Sequence, residues 1–463
     1  MQKIFDEVNS LDNKCYERYY LNEDILMEHA SDGIKQYINK KFHKNSTILI
    51  VCGSGNNGAD GITLARLLYG EYDVSLYLYK EPKTAIGKLQ LKRAQAVGIK
   101  SIKKLATSYD VVVDCVFGSG LSGDLDDKSL SIIKKLNDMK AHKIACDIPS
   151  GIQKNGVVSK EIFKADSTLT MGALKMALFL DNVKEYVGKI KVIDLGVSSK
   201  LYEDKSNSYL LEKSDLKLPL RDKLNTNKGT FGHLAVIAGQ KEGAANLSAM
   251  AGFALGSGLV SLVAHEKIIC KPYIMQSHFI PKNTTALALG MGLGKYDKSE
   301  IKTILKEKIP KVVDADLFYS DDIKVVIDQK NCVLTPHPKE FCSLLKILEL
   351  TDIAVEELQK HRMQYVKEFC KKYSNVVLVL KGANTIIAQG KKLYINPLGD
   401  SRLSFGGSGD VLAGFIASLL AQGYEAIEAA KQGSIIHTLS AKKSKKNKYA
   451  LSPFDLIKGV SRL

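Results

Sequence analysis

Within Leu403 to Gly414, the run Gly406, Gly407, Ser408 and Gly409 is directly followed by Asp410 and an apolar segment with helical spacing. Glycines let the backbone turn its N–H groups toward one point. A helix opening near Asp410 adds its positive end at the same place. That geometry holds an anion, most naturally a nucleotide phosphate. Donors for phosphate oxygens beside one carboxylate able to take a proton are what phosphoryl transfer to a hydroxyl requires. A loop that only caps a helix needs one glycine and no acid.

A second set of polar residues lies in the first half. Gly53-Ser54-Gly55-Asn56-Asn57-Gly58 fits G-x-G-x-x-G after a strand-like run, and Glu81 stands where a ribose-binding acid belongs. The loop also carries Asp60, and its asparagines stand where that fingerprint takes small apolar residues. Two further strand-like runs end in polar loops, at Asp114–Asp124 and at Asp147–Gly151. In an open parallel sheet the carboxyl ends of the strands face one crevice. Asn57, Asp60, Asp114, Asp124, Asp147 and Ser150 are expected to converge there. Oxygen donors without His or thiolate favour a hard cation over zinc.

The elements that must position these groups alternate. Ser46–Cys52, Asp73–Tyr79, Asp110–Phe117, Lys143–Asp147, Ser167–Met171 and Lys189–Leu195 read as strands, with helices at Asn22–Lys40, Gly58–Tyr69 and Thr84–Val97. Such alternation predicts a parallel sheet covered on both faces. Lys200 to Lys228 is polar and contains Pro219, which reads as a linker. A second alternating block follows. It begins at Gly232–Ala238, and its strands include Ala286–Leu289, Val312–Asp314, Cys332–Leu334, Val376–Leu380, Thr385–Ala388 and Leu393–Ile395. Long helices fill the gaps, among them Asn246–Ser257, Lys339–Leu348, Ala354–Lys372 and Asp410–Gln422. In the second block, Lys381-Gly382-Ala383-Asn384-Thr385 ends a strand with groups suited to a nucleotide. His337 sits between two prolines that fix its backbone, and Gly290-Met291-Gly292-Leu293-Gly294 permits close approach to a ligand. No Walker lysine motif occurs, so P-loop chemistry has no support.

With 463 residues, 45% hydrophobic and 25% charged, the chain fits two or three globular domains. The net charge of +16 is scattered, and its one compact cluster, Lys442–Lys448, reads as a solvated loop. No nucleic-acid partner is expected, because there is no Trp and no basic stripe interleaved with aromatics. No membrane association is expected either. Eight cysteines without a C-x-x-C pair, and an opening without an apolar leader, predict a reduced cytoplasmic location.

Gly55–Gly61, Asp114–Gly123 and Asp147–Gly151 together resemble the NAD(P)H-hydrate epimerase (YjeF N-terminal) family, and Leu26-Met27-Glu28-His29-Ala30 resembles its opening helix. The resemblance covers about residues 1–205 and implies a Rossmann-like three-layer domain that binds hydrated NADH or NADPH. It implies a ligand surrounded by Asn56, Asn57, Gly58, Ala59 and Asp60, and by Gly118, Ser119, Gly120, Leu121, Ser122, Gly123 and Asp124. Asp147 would be the acid–base group, and a potassium ion would lie at Asn57, Asp114 and Ser150. Ala59 stands where the family has glycine, and its methyl is expected to narrow the approach to the ligand.

Lys228–His233, Thr335-Pro336-His337-Pro338, Lys381–Thr385 and Gly406–Asp410 resemble the NAD(P)H-hydrate dehydratase branch of the ribokinase-like superfamily. This implies a ribokinase-like α/β domain over residues 229–463, after a linker at 206–228. Nucleotide contacts would fall on Lys381, Gly382, Ala383, Asn384, Thr385 and Gly409, and substrate contacts on Ala244, Gly292, His337 and Asp410. ADP as co-substrate, Mg2+ in this domain and a homo-oligomer complete what the resemblance implies. Met291 replaces a usual proline, and Ser408 replaces a threonine while keeping the hydroxyl. Three other readings remain open: a vitamin-precursor kinase with an accessory domain, a dehydrogenase using the 53–58 loop, and an RNA-associated scaffold. NADH against NADPH, and ADP against ATP, also stay open at this point.

Overall fold

Strand Thr47–Cys52 shows why the first sheet is buried on both sides. Ile48, Ile50 and Cys52 face one apolar cluster, and Leu49 and Val51 face another. The first cluster is covered by helices Glu23–Lys41, Asn56–Leu68 and Ala85–Ala96, the second by Asp127–Asp138. The computed structural model describes all residues from Met1 to Leu463. They divide into two units, residues 3–206 and residues 207–463 with residues 1–2.

The first unit holds a six-stranded, wholly parallel sheet. Its spatial order is Asp73–Leu78, Thr47–Cys52, Val111–Cys115, His142–Cys146, Ser167–Met171, Lys189–Ile193. The chain reverses its direction of growth between Thr47–Cys52 and Val111–Cys115, and ligands bind outside the strand ends at such a switch. Gly53–Asn57 and Val116–Gly118 follow these two strands. A Cβ at Gly58 would sit 2.0 Å from the Gly53 carbonyl oxygen, so loop and helix meet backbone to backbone. Gly58→Ala is expected to lower unfolding free energy by about 1–3 kcal/mol in urea titrations. An unchanged midpoint would contradict this contact.

The second unit contains a larger sheet, in the order Met275–Ser277, Leu259–Val263, His233–Ile237, Ala286–Leu289, Lys311–Val313, Cys332–Leu334, Val377–Leu380, Thr385–Gln389, Lys392–Asn396, Ser208–Leu210. It is parallel as far as Val377–Leu380, and Thr385–Gln389 runs antiparallel to both of its neighbours. Its switch lies between His233–Ile237 and Ala286–Leu289. Helix Ser408–Ala421 is buried along almost its whole length against Glu242–Ala254, as an all-round apolar sequence requires. No helix is long and apolar enough to cross a membrane.

Three features depart from expectation. The expected helix Ala354–Lys372 is two helices, Val355–Lys360 and Arg362–Lys372, joined at His361. The break turns Arg362 inward, where Nη2 donates to the carbonyls of Leu380 at 3.5 Å and Lys381 at 3.1 Å. The segment 206–228, expected as a linker, begins with Ser208–Leu210 paired to Leu393–Ile395, and Leu211 enters the second unit's core. Helix Asn9–Tyr19, strand Leu259–Val263 and helix Ala426–Lys442 are not among the elements named from the sequence.

Candidate active sites

In the first cleft Asp114 is fully buried at the end of its strand. Its Oδ1 accepts from Val116 N at 3.1 Å and Ser150 Oγ at 2.7 Å, and its Oδ2 from Ser150 N at 2.8 Å. Burial pushes this carboxyl up to about 6 despite the three bonds. The Phe117 N–H donates to Ser150 Oγ at 2.9 Å, which ties the third strand-end loop to the second. Both side-chain amide atoms of Asn57 are buried without a hydrogen-bond partner. Gly118 lies beside Asn57, where a Cβ would be 3.1 Å from the asparagine Cβ. A buried, unsatisfied amide oxygen costs stability unless something binds it.

Asp147 follows strand His142–Cys146 with a left-handed φ of 68°. Its Oδ1 accepts from Lys175 Nζ at 2.6 Å, Met171 N at 3.2 Å and Thr170 Oγ1 at 3.3 Å. Burial raises this carboxyl, but the Lys175 charge and hydrogen bond outweigh burial and hold it below its ordinary range. Asp60 lacks such a partner, and burial together with the charges of Asp147 and Asp12 drives it well upward. Asp12 is also raised, by burial, although the Tyr202 hydroxyl donates to it at 2.7 Å. Lys175, Asp12 and Tyr202 escaped the sequence reading. A lysine inside the apolar run Met171–Leu178 was the available signal for the first, and nothing local marked the other two.

The remaining expected residues spread outward. Ser119 lies against the Asp147 carboxyl. Gly120, Ser122, Gly123 and Asp124 are exposed, Leu121 is half-buried, and Gln153 Nε2 donates to the Gly123 carbonyl at 3.1 Å. Asp124 therefore does not join the buried cluster. Asn56 Nδ2 donates to Glu23 at 2.5 Å at the cleft's rim. The Ala59 methyl, expected to narrow the approach to a ligand, is buried against Gly87 of the neighbouring helix.

In the second cleft Gly407 caps helix Ser408–Ala421 with φ 88°. Val411 N reaches back to the Gly407 carbonyl at 3.1 Å, so the N–H groups of Gly409 and Asp410 have no partner within the helix. Ser248 Oγ donates to the Asp410 carbonyl at 2.7 Å and fixes this first turn. Burial, with the charges of Asp314 and Asp316, raises the Asp410 carboxyl to about 6 against the pull of Lys381. Lys381 Nζ stands 2.8 Å from Asp314 Oδ1 and 3.6 Å from Glu340 Oε2. It also lies 3.5 Å from where a Gly409 Cβ would be. The anion hole, the lysine and three carboxyl groups thus share one spot. Asp314 and Glu340 were absent from the sequence-derived set.

His337 caps helix Pro338–Ile347, its Nδ1 accepting from Lys339 N at 3.1 Å and Glu340 N at 3.3 Å. Its Nε2 lies 3.2 Å from Glu340 Oε1, whose carboxyl burial raises to about 7. Ala244 and Gly292 meet at the switch, where a Gly292 Cβ would be 3.1 Å from the alanine methyl. Next to them a cavity of about 340 Å³ opens between Ile237, Val263, Leu293 and Tyr296. Gly382, Ala383 and Asn384 form the turn before Thr385, and Asn384 is buried. With its carboxyl near 6, Asp410 acting as the base expected from the sequence should give a rate that rises through an acid limb close to pH 6. A pH–rate profile flat across that region would contradict this.

No group of three or more His, Cys, Asp or Glu side chains forms a ready metal cage. Asn57, Asp114 and Ser150 instead offer a mixed oxygen set with an unsatisfied amide, which suits a weakly held hard cation. Asp314 and Glu340, the latter raised by burial against the pull of Lys381, offer carboxyl oxygens that fit a magnesium ion that keeps phosphate ligands.

A family model described as NAD(P)H-hydrate dehydratase matches residues 234–462, and one described as YjeF-related protein N-terminus matches residues 23–177. The bifunctional NAD(P)H-hydrate repair enzyme of Helicobacter pylori is 42% identical over 473 aligned residues, covering 100% of both chains. That of Dictyoglomus turgidum is 31% identical, covering 98% of this chain and 96% of its own. Among solved structures, an ADP/ATP-dependent NAD(P)H-hydrate dehydratase from Bacillus subtilis co-crystallized with ATP/Mg2+ is 26% identical, covering 53% of this chain and 92% of its own, with a TM-score of 0.45. The chain belongs to the family of bifunctional NAD(P)H-hydrate repair enzymes.

Proposed function

We propose that this chain repairs NADH or NADPH that has gained water across the nicotinamide ring. The first unit interconverts the R and S hydrates. The second dehydrates the S hydrate with ADP, yielding NAD(P)H, AMP and phosphate. The observation that carries this reading is Asp410, held at a helix N-terminus beside Lys381 with its carboxyl raised to about 6.

In the second cleft Asp410 takes the proton of the ring hydroxyl as that oxygen bonds to the terminal phosphorus of ADP and the bond to AMP breaks. The ring C–O bond then breaks with loss of a ring proton, phosphate departs, and the double bond returns. Positioning and charge stabilisation are the main contributions in such a transfer. Lys381 and the Gly409 and Asp410 N–H groups supply them, with Gly382, Ala383, Asn384 and Thr385 beside the nucleotide. Ala244, Gly292 and His337 line the substrate side. Asp314 and Glu340 would hold magnesium, which neutralises phosphate charge when bound.

In the first cleft Asp147, ionised at neutral pH, takes and returns the proton whose transfer lets the hydroxyl-bearing carbon invert. Asn57, Asp114 and Ser150 would hold potassium, which orders the loops when bound. Residues 56–60 and 118–124 would surround the ligand. Three free thiols packed together, Cys52, Cys115 and Cys146, favour a reducing cytoplasm. Exposed Ile269 and Phe279 near the edge strand Met275–Ser277 favour self-association.

Incubating the protein with mixed hydrates and ADP tests this reading. Recovery of reduced-nicotinamide absorbance with matching release of AMP and phosphate is expected. A stable phosphorylated product without recovery would point to a vitamin-precursor kinase instead.

A further inference from the structure

We propose that Lys175 is a positioning residue for epimerisation, fixing the Asp147 carboxylate in one orientation at the first cleft. This rests on the reading of Asp147 as the acid–base group. Lys175 belongs to the two-residue strand Leu174–Lys175 and is almost wholly buried. Its ammonium has three N–H donors. They go to Asp147 Oδ1 at 2.6 Å, Met171 O at 2.9 Å and Thr170 Oγ1 at 3.1 Å. None remains for a ligand, so Lys175 acts only through Asp147.

The bonds are also one-sided. Lys175 Nζ, Thr170 Oγ1 and Met171 N all converge on Oδ1, and none falls on Oδ2. Three donors thus anchor Oδ1, and a further hydrogen bond to the carboxylate comes from the side chain of Ser119 on the 118–124 loop. The left-handed backbone of Asp147 adds to this aim, since a non-glycine residue holds that conformation only when its surroundings impose it. A buried ion pair is a poor device for stability alone, because a well-packed apolar pair of similar volume does as well or better.

The neighbouring groups make a contrast. Asp12 from helix Asn9–Tyr19, Asp60 from helix Asn56–Leu68, Tyr202 from helix Ser199–Tyr202 and Cys146 from the preceding strand all share the field of Asp147. Asp12 and Asp60 are raised, and only the carboxyl bonded to Lys175 is lowered. Acid and base roles are commonly separated by environments that push carboxyls apart in this way.

The test measures R–S exchange without ADP, across pH, in wild type, Lys175→Met, Lys175→Arg and Asp147→Asn, with folding followed by circular dichroism. Lys175→Met is expected to lower kcat about 100-fold at neutral pH. KM should change by less than about threefold. The acid limb should move upward by about one unit or more, because the carboxylate loses its counter-charge. Lys175→Arg should restore the limb and part of kcat. Should Lys175→Met fail to fold, Lys175→Gln, which keeps a donor without the charge, is expected to show the same displaced limb. An undisplaced limb in the neutral variants, or equal losses in Met and Arg variants, would overturn the role of Lys175. Full exchange in Asp147→Asn would instead overturn the assignment of Asp147.

Discussion

Asp410→Asn abolishes nucleotide-dependent recovery of reduced cofactor and leaves R–S exchange at its wild-type rate. The amide keeps the shape of the carboxyl but cannot take the hydroxyl proton, so a loss of about 10²–10⁴-fold is expected. The same substitution is stabilising. The folded carboxyl titrates near 6, above the ordinary 3.8, so the folded state holds a proton that the unfolded state releases between these values. Below pH 3.8 the group is protonated in both states and contributes nothing. The penalty grows as pH rises and is complete above about 6, where removing it is worth about 3 kcal/mol. Urea titrations at acid and neutral pH give this difference directly. Equal loss of both activities, or no gain in stability at neutral pH, would contradict the environment described for Asp410.

Asp147→Asn has the opposite balance. Exchange between hydrates is lost, so the S hydrate is consumed at the wild-type rate and the R hydrate persists beyond its spontaneous conversion. Here the ion pair is broken as well, and the buried Lys175 ammonium is left facing a neutral amide. Removing one partner of a buried pair costs about 3–5 kcal/mol. The folded Asp147 carboxyl lies below 3.8, so its contribution to wild-type stability is present above that value and fades as pH falls through the lower folded one. Resolving the two epimers over time, with calorimetry on the same preparations, reads both effects. Equal repair of both epimers by the variant would remove Asp147 from the mechanism.

The two substitutions differ because the two acids were built differently, and the sequence carried only part of that difference. Strand-end loops are legible: glycines at 53, 55 and 58, the Asp147–Gly151 turn and the Gly406–Asp410 run punctuate apolar stretches of fixed length. Both sheets therefore lie close to where alternation of apolar runs and helices put them, and the resemblance of each half to its family is borne out. The partners of the acids are not local. Asp12 and Tyr202 meet across 190 residues, and Lys381 meets Asp314 across 67. Asp314 reads as the last residue of a strand and Glu340 as a helix's first turn, and only the assembled sheet turns both onto Lys381. Helix Asn9–Tyr19, polar enough to pass for a tail, gains its order by burying Leu11 and Cys15 against Leu195 and Tyr202. The break at His361 is similar, since it serves a carbonyl contact made by Arg362 on another element.

Complementation between the two variants bears most directly on the claim that separate clefts treat one damaged cofactor and only the second consumes nucleotide. Asp147→Asn with ADP should restore the S hydrate alone, and Asp410→Asn should restore neither. An equimolar mixture should recover both epimers as reduced cofactor, with one AMP released for each molecule repaired. A mixture that repairs no more than Asp147→Asn does alone would contradict the account.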